Sequence, residues 1–332
     1  MTISRATFRD SRAERTLFRR FALGVLAGLA LALVAAAKPP DLFRLGFCSS
    51  MLAGVNDNDA RASLRALSSV VSRERGIKAD PEPVLLSGAD ALADALVSAE
   101  VDAVATTVDE YWASAGRVRF DRFLMGTHNG DPAERYVLLV RRDTGFAEPT
   151  ALRGHSLALH SAPRMRLGYL WLEVVLARAD ASPVTDFFSR LDRTPKLSKA
   201  VLDVFFKRID ACLVTQRAFA AVAEMNPQVG KELAPIATSP DLVPSFFGFR
   251  SGMDPAFLEK VVRELGSVHH TPAGKQAITI FQVGDLGEFG AESLAPALAL
   301  LDEYRARRPD EAARLIASLR TSGAGPLAEA VP

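Results

Sequence analysis

Gly88–Ala113 reads GADALADALVSAEVDAVATTVDEYWA, and this stretch decides the fold. Leu92, Leu96 and Val97 recur at helical spacing, so Ala89–Ser98 is expected to be a short amphipathic helix. Val101–Thr106 (VDAVAT) is then too short and too apolar for anything but a buried strand. Val108–Ala115 resumes as a helical turn or two, with Thr107 or Asp109 as a cap. Helix, buried strand and helix in 26 residues is the rhythm of a parallel α/β unit.

The rhythm continues in both directions. Upstream, LFRLGFC (Leu42–Cys48) is a strand, a helix follows Asn56–Asp59 up to a stop at Gly76, and Val84–Ser87 is a second strand. Downstream lie the strands Phe120–Gly126 and Tyr136–Arg141, and a new unit opens near Pro149. It contains the strands Ser156–His160, Asp210–Thr215, Ala234–Thr238 and Ser245–Arg250, with helices over 168–178, 197–207 and 217–225. The tail is helical over 255–266, 272–281 and 294–319, broken at Arg308-Pro309. Two runs of α/β units in 332 residues imply two lobes.

Composition excludes several functions. Forty basic and 39 acidic side chains leave a net charge of +1, which gives no field for holding nucleic acid. There is no Walker loop, no Gly-x-Gly-x-x-Gly, no nucleophile elbow and no metal-ligand spacing among the five histidines. The chain is therefore read as a non-enzyme without cofactor or metal. Cys48 and Cys212 fall in strands of different halves, so they are expected to be buried free thiols.

At the N-terminus, six arginines between Arg5 and Arg20 precede an uncharged run, Phe21–Ala37, that exits through Ala35-Ala36-Ala37. This is the layout of a secretory signal, and residues 1–37 are read as a signal peptide or an uncleaved anchor. Either way the body is expected in the periplasm.

Five segments together resemble a known family. They are LFRLGFCSS (Leu42–Ser50), the opening stretch above, LRGHSLALHSAP (Leu152–Pro163), AVLDVFFKRIDACLV (Ala200–Val214) and NPQVGKELAPIATSPDLVPSFFGFR (Asn226–Arg250). In this order they are similar to the phosphate, phosphite and phosphonate-binding (PhnD-like) proteins of ABC importers. The resemblance implies a type 2 periplasmic binding protein, α/β and two-lobed. Lobe one would be residues 40–138 plus 250–332, and lobe two 142–244. Strands 136–141 and 245–250 would form a two-strand hinge. A ligand would be captured in the cleft and delivered to a membrane permease by a monomer.

The ligand does not follow from the resemblance. The family's oxyanion turn, Ser-Thr-Ser-Gly, is replaced here by Arg164-Met165-Arg166-Leu167 before Gly168-Tyr169. Met51, Leu52, Tyr111, Trp112, Phe246 and Phe247 add apolar surface near the expected cleft. Two readings remain open: an anion gripped by Arg164 and Arg166, or a lipid, sterol-like, in an apolar cleft. A membrane-tethered sensor is a third. Ligand contacts are expected from residues that follow strands or start helices. These are Ser49, Ser50, Thr106, Thr107, Asp109, Tyr111, Arg164, Arg166, Tyr169, Thr215 and Phe246.

Overall fold

A computed structural model describes residues 42–52, 55–114 and 116–321. The basic head and apolar run at the N-terminus lie outside the described residues. Among those described, no helix is long and apolar enough to cross a membrane.

Among the described residues, eleven strands form two sheets. The first contains β1 (Leu45–Cys48), β2 (Val84–Leu86), β3 (Ala103–Thr107), β4 (Phe120–Thr127), β10 (Ser245–Arg250) and β11 (Asp285–Phe289), in the order β11-β4-β10-β3-β1-β2. The second contains β5 (Tyr136–Arg141), β6 (Ser156–His160), β7 (Arg190–Thr194), β8 (Ala211–Thr215) and β9 (Leu233–Thr238), in the order β7-β6-β8-β5-β9.

Each sheet is packed on both faces, which is why its inner strands read as unbroken apolar runs. In β3, Ala103 and Ala105 face Leu64 and Val71 of α1 (Asp57–Arg75). Val104 between them faces Leu92 and Leu96 of α2 (Gly88–Val97). After β3 comes α3 (Val108–Ala113). In the second sheet, Leu138 and Val140 of β5 face α4 (Arg166–Arg178). The short α5 (Val184–Phe187) lies on the same side as α4, whereas Val137 and Leu139 face the opposite layer, which holds α6 (Leu197–Phe205). Both cysteines are buried and unpaired, one in each sheet.

Neither sheet is purely parallel. β1 runs parallel to β2 and β3, but β10 is inserted antiparallel between β3 and β4. It must run backwards because it re-enters the first sheet from the second lobe. Tyr136–Arg141 and Ser245–Arg250 are central strands, one in each sheet, not crossing strands. The crossings are the segments immediately before them, 128–135 and 239–244. The two are zipped together, since Glu134 and Leu242 exchange backbone hydrogen bonds of 2.9 and 3.0 Å. Arg135 grips Asp241 through two guanidinium nitrogens at 2.5 and 2.9 Å.

The chain closes with α7 (Gln216–Met225), α8 (Pro227–Glu232), α9 (Pro255–Gly266), α10 (Pro272–Ile278), α11 (Ala295–Arg307) and α12 (Pro309–Thr321). The last two were expected to belong to lobe one. Of these, α12 packs on α2 and α3 of lobe one, while α11 packs against both α4 of lobe two and α3 of lobe one. Two consecutive residues make the tie visible. Trp112 of lobe one donates to Asp302 at 2.9 Å, and Arg178 of lobe two donates to Glu303 at 2.9 and 2.6 Å.

Candidate functional site

Three segments meet between the lobes. From lobe one come the 3-10 turn Ser49–Leu52 after β1 and the β3–α3 junction. From lobe two comes the turn Pro163–Met165 that leads into α4. Gly168 holds that helix start close to its sheet, since a Cβ there would lie 2.5 Å from the Tyr136 ring. The Tyr136 hydroxyl in turn donates to the Arg164 carbonyl at 2.6 Å.

A buried carboxylate sits at the centre. Glu110 is 0% exposed. Its Oε2 accepts from Ser50 Oγ at 2.5 Å and Thr107 Oγ1 at 3.1 Å. Thr106 Oγ1 lies 3.3 Å from both Oε2 and the Thr107 carbonyl, so its single proton serves one at a time. Oε1 has no hydrogen-bond partner among the described residues. Burial, and then the neighbouring Asp109 charge, push the Glu110 carboxyl up, against the pull of Ser50, Arg166 and Thr107. Burial and the Glu110 charge push the nearby Cys48 thiol up as well.

The raised Glu110 carboxyl has a consequence for pH. The folded protein holds this proton more tightly than the unfolded chain. The associated stability is full below the ordinary value of 4.5 and is lost as pH rises through the folded value. Glu110→Gln keeps an oxygen for the hydroxyls and removes the charge. The stability of the variant relative to wild type is expected to rise as pH climbs from 4.5 to the folded value and to level off above it, as read from paired urea melts. A difference independent of pH would show that Glu110 is not perturbed by its burial.

Next to Glu110 the lobes are joined by charge. Arg166 Nη1 of lobe two lies 2.5 Å from Asp109 Oδ2 of lobe one, with the carboxylate side chain 2% exposed. Arg164 is less well served. Its nearest carboxylate, Glu134 on the first crossing, is 3.4 Å away and also takes Arg217 at 3.0 Å. Arg164 Nη1 reaches the Gln282 carbonyl at 3.3 Å, and Nε has no partner among the described residues. Burial pulls this guanidinium below the ordinary arginine range, opposed chiefly by Glu134. Beside it is a pocket of about 20 Å³. Thr107, Arg164, Ser245 and Gln282 form its polar side, and Met51, Pro244, Ile280 and Phe281 its apolar side.

The structure thus brings together Ser50, Thr106, Thr107, Asp109, Arg164 and Arg166, with Ser49 half-buried at the head of the same turn. It places the other expected residues elsewhere. The Tyr111 ring packs on Phe120 and Phe246, and Phe246 is 2% exposed. Thr215 caps α7 by accepting from the Ala218 N–H at 3.1 Å. Tyr169 is buried with Glu173, to which its hydroxyl is hydrogen-bonded. Glu110, Glu134 and Gln282 were not foreseen. Thr107 and Glu110 do stand at the Ser/Thr-x-x-Glu spacing of a capping box. The carboxylate, however, turns to collect hydroxyls rather than the cap N–H, and Thr107 makes no side-chain cap bond.

Residues 51–292 match the family model described as ABC transporter, phosphonate, periplasmic substrate-binding protein. The chain belongs to that family. Such proteins bind small-molecule ligands and deliver them to a membrane permease. No curated protein matches the chain.

Solved structures share the fold of this phosphonate-type binding protein. A Xanthomonas citri protein bound to chloride ion matches with a TM-score of 0.55 and 21% identity, over 81% of this chain and 99% of that one. The binding-protein component of an ABC phosphonate transporter from Pseudomonas aeruginosa gives 0.52 and 16%, over 85% and 95%. PhnD1 from Prochlorococcus marinus, solved with methylphosphonate, gives 0.51 and 11%, over 81% and 98%. Identity this low carries the two-lobed fold and not the lining of the cleft. In this binding protein the helix start of lobe two offers Arg164 and Arg166, as its sequence leads one to expect.

Proposed function

We propose that this substrate-binding protein captures a small organic oxyanion of the phosphonate type between its lobes, and that the closed form is what a membrane permease receives. One observation carries the reading. Arg164 is a buried guanidinium with long contacts and an unpartnered Nε, beside a pocket that is half polar and half apolar. A charged oxygen answers the guanidinium, and a short alkyl group suits Met51 and Phe281. The pocket holds about one water-sized group in this closed form, so entry requires the lobes to part. Segments 128–135 and 239–244 are then the hinge. The N-terminal run Phe21–Ala37 fits export to the periplasm, either by cleavage or as a tether.

The lipid reading has less support. Phe246 and Phe247 are core residues, and the Trp112 indole is engaged with Asp302.

Methylphosphonate is expected to raise the melting temperature, since it would bind only the folded state. Arg164→Ala should weaken its binding by ~10- to 150-fold, the range for losing a charged hydrogen bond. If the variant binds as wild type does, or if a sterol rather than the phosphonate shifts the melting point, the oxyanion reading fails.

A further inference from the structure

A second hollow, of about 520 Å³, lies between α4, the short α5 and the C-terminal helices α11 and α12. It is far larger than the pocket in the cleft and falls within the range of small-molecule sites. A buried carboxylate lines it. Glu173 is 2% exposed, and its Oε1 accepts from the Val184 N–H at 3.0 Å. The Tyr169 hydroxyl is hydrogen-bonded to the same carboxylate, but Oε2 has no hydrogen-bond partner among the described residues. The nearest cation, Arg308, holds its Nε 3.9 Å away, beyond hydrogen-bond reach, while its Nη2 donates to the Ala181 carbonyl. A buried oxygen of this kind costs free energy until a donor meets it.

The rest of the lining indicates which donor. Two further carboxylates, Asp186 and Glu311, face one arginine, Arg314, which stands 3.6 Å from Glu311. The lining therefore carries more acceptors than cations. Tyr169 and Tyr304 complete it. Their phenols are pushed up first by burial and then by Glu173, with Glu311 adding to the effect at Tyr304. Carboxylates beside tyrosine rings make a setting that attracts cations with both charge and π faces. We propose that this groove is a second ligand site, binding a small organic ammonium ion with its N–H on Glu173 Oε2 and its charge held by Asp186, Glu311 and the two tyrosines.

The test is calorimetric titration of the purified full chain with n-butylammonium, n-butanol and butyrate. The ammonium ion is expected to bind saturably, about tenfold or more tighter than the alcohol, with no binding of butyrate. Glu173→Gln should weaken the ammonium ion about tenfold, and Glu311→Gln severalfold. Arg164→Ala, in the cleft, should leave it unchanged, which separates this site from the oxyanion reading. Equal binding of butylammonium and butanol would reduce the groove to an apolar hollow. A preference for butyrate would mean that Arg308 and Arg314 govern it. Either result, or no saturable binding of the ammonium ion, overturns the proposal. If Glu173→Gln does not fold, Glu311→Gln still decides, because Glu311 is half-buried at the end of a surface helix.

Discussion

Arg166→Ala is expected to lower the folding free energy by about 3–5 kcal/mol, the usual cost of leaving a buried charge without its partner. The carboxylate left behind is Asp109, 1% exposed and adjacent to the buried Glu110. Both members of the pair are mostly buried, at 12% and 2% side-chain exposure, so solvent screens them little. The pair also spans the lobes, so its loss acts on closure as well as on folding. Removing Asp109 with Arg166 takes away the orphaned charge, and the double variant should recover most of the single variant's loss. Urea melts of wild type, both single variants and the double variant make the cycle. A cost for Arg166→Ala below ~1 kcal/mol would place the pair with ordinary exposed ion pairs and remove its role in closure.

That pair also shows what the sequence disclosed. Asp109 and Arg166 are 57 residues apart, and nothing local links them. Each was marked separately, because each follows a strand or opens a helix where α/β lobes gather their ligands. The inner strands were legible for a related reason. Burial on both faces makes Ala103–Thr107 and Tyr136–Arg141 apolar runs that admit no other reading. Two of the four edge strands were not legible. β7 reads RLDRT and β11 reads DLGEF, because an edge strand tolerates charge and glycine.

The connections between the sheets lie one element before the strands expected to cross, because an apolar run looks the same whether a strand crosses between lobes or stays within one. Glu110 escaped notice because ligand contacts were sought just after strands and at helix caps, and Glu110 lies inside α3. Glu134 and Gln282 lie in connections without periodicity, and only the closing of the two lobes brings them to Arg164. Tyr169 was assigned to the cleft from its place at a helix start. The helix turns it instead toward the C-terminal pair, a contact invisible until α11 is seen to brace both lobes.

Asp102→Ala should match or exceed Arg166→Ala in its effect on lobe one, at about 3–5 kcal/mol. Asp102 is 0% exposed and immediately precedes β3. Its Oδ2 accepts from the Arg44 N–H at 2.9 Å and from Arg44 Nε at 3.2 Å. Its Oδ1 accepts from Arg250 Nη2 at 3.0 Å, Arg250 Nε at 3.1 Å and Arg44 Nη2 at 3.3 Å. One carboxylate thus joins the residue before β1, the start of β3 and the end of β10. The last of these is the strand that returns from lobe two, so the junction fixes its register as well as adding stability. Arg44 is a third exposed and can rehydrate, whereas Arg250, at 18%, has less access to water and bears more of the loss. Asp102→Asn keeps the shape but cannot accept from both guanidinium forks as an anion does, so its cost should be smaller but still large. Arg250→Ala in the Asp102→Ala background should then add little, because its partner is already gone. Full additivity of the two substitutions would show that the two side chains act independently and that the register of β10 is set by its backbone ladder alone.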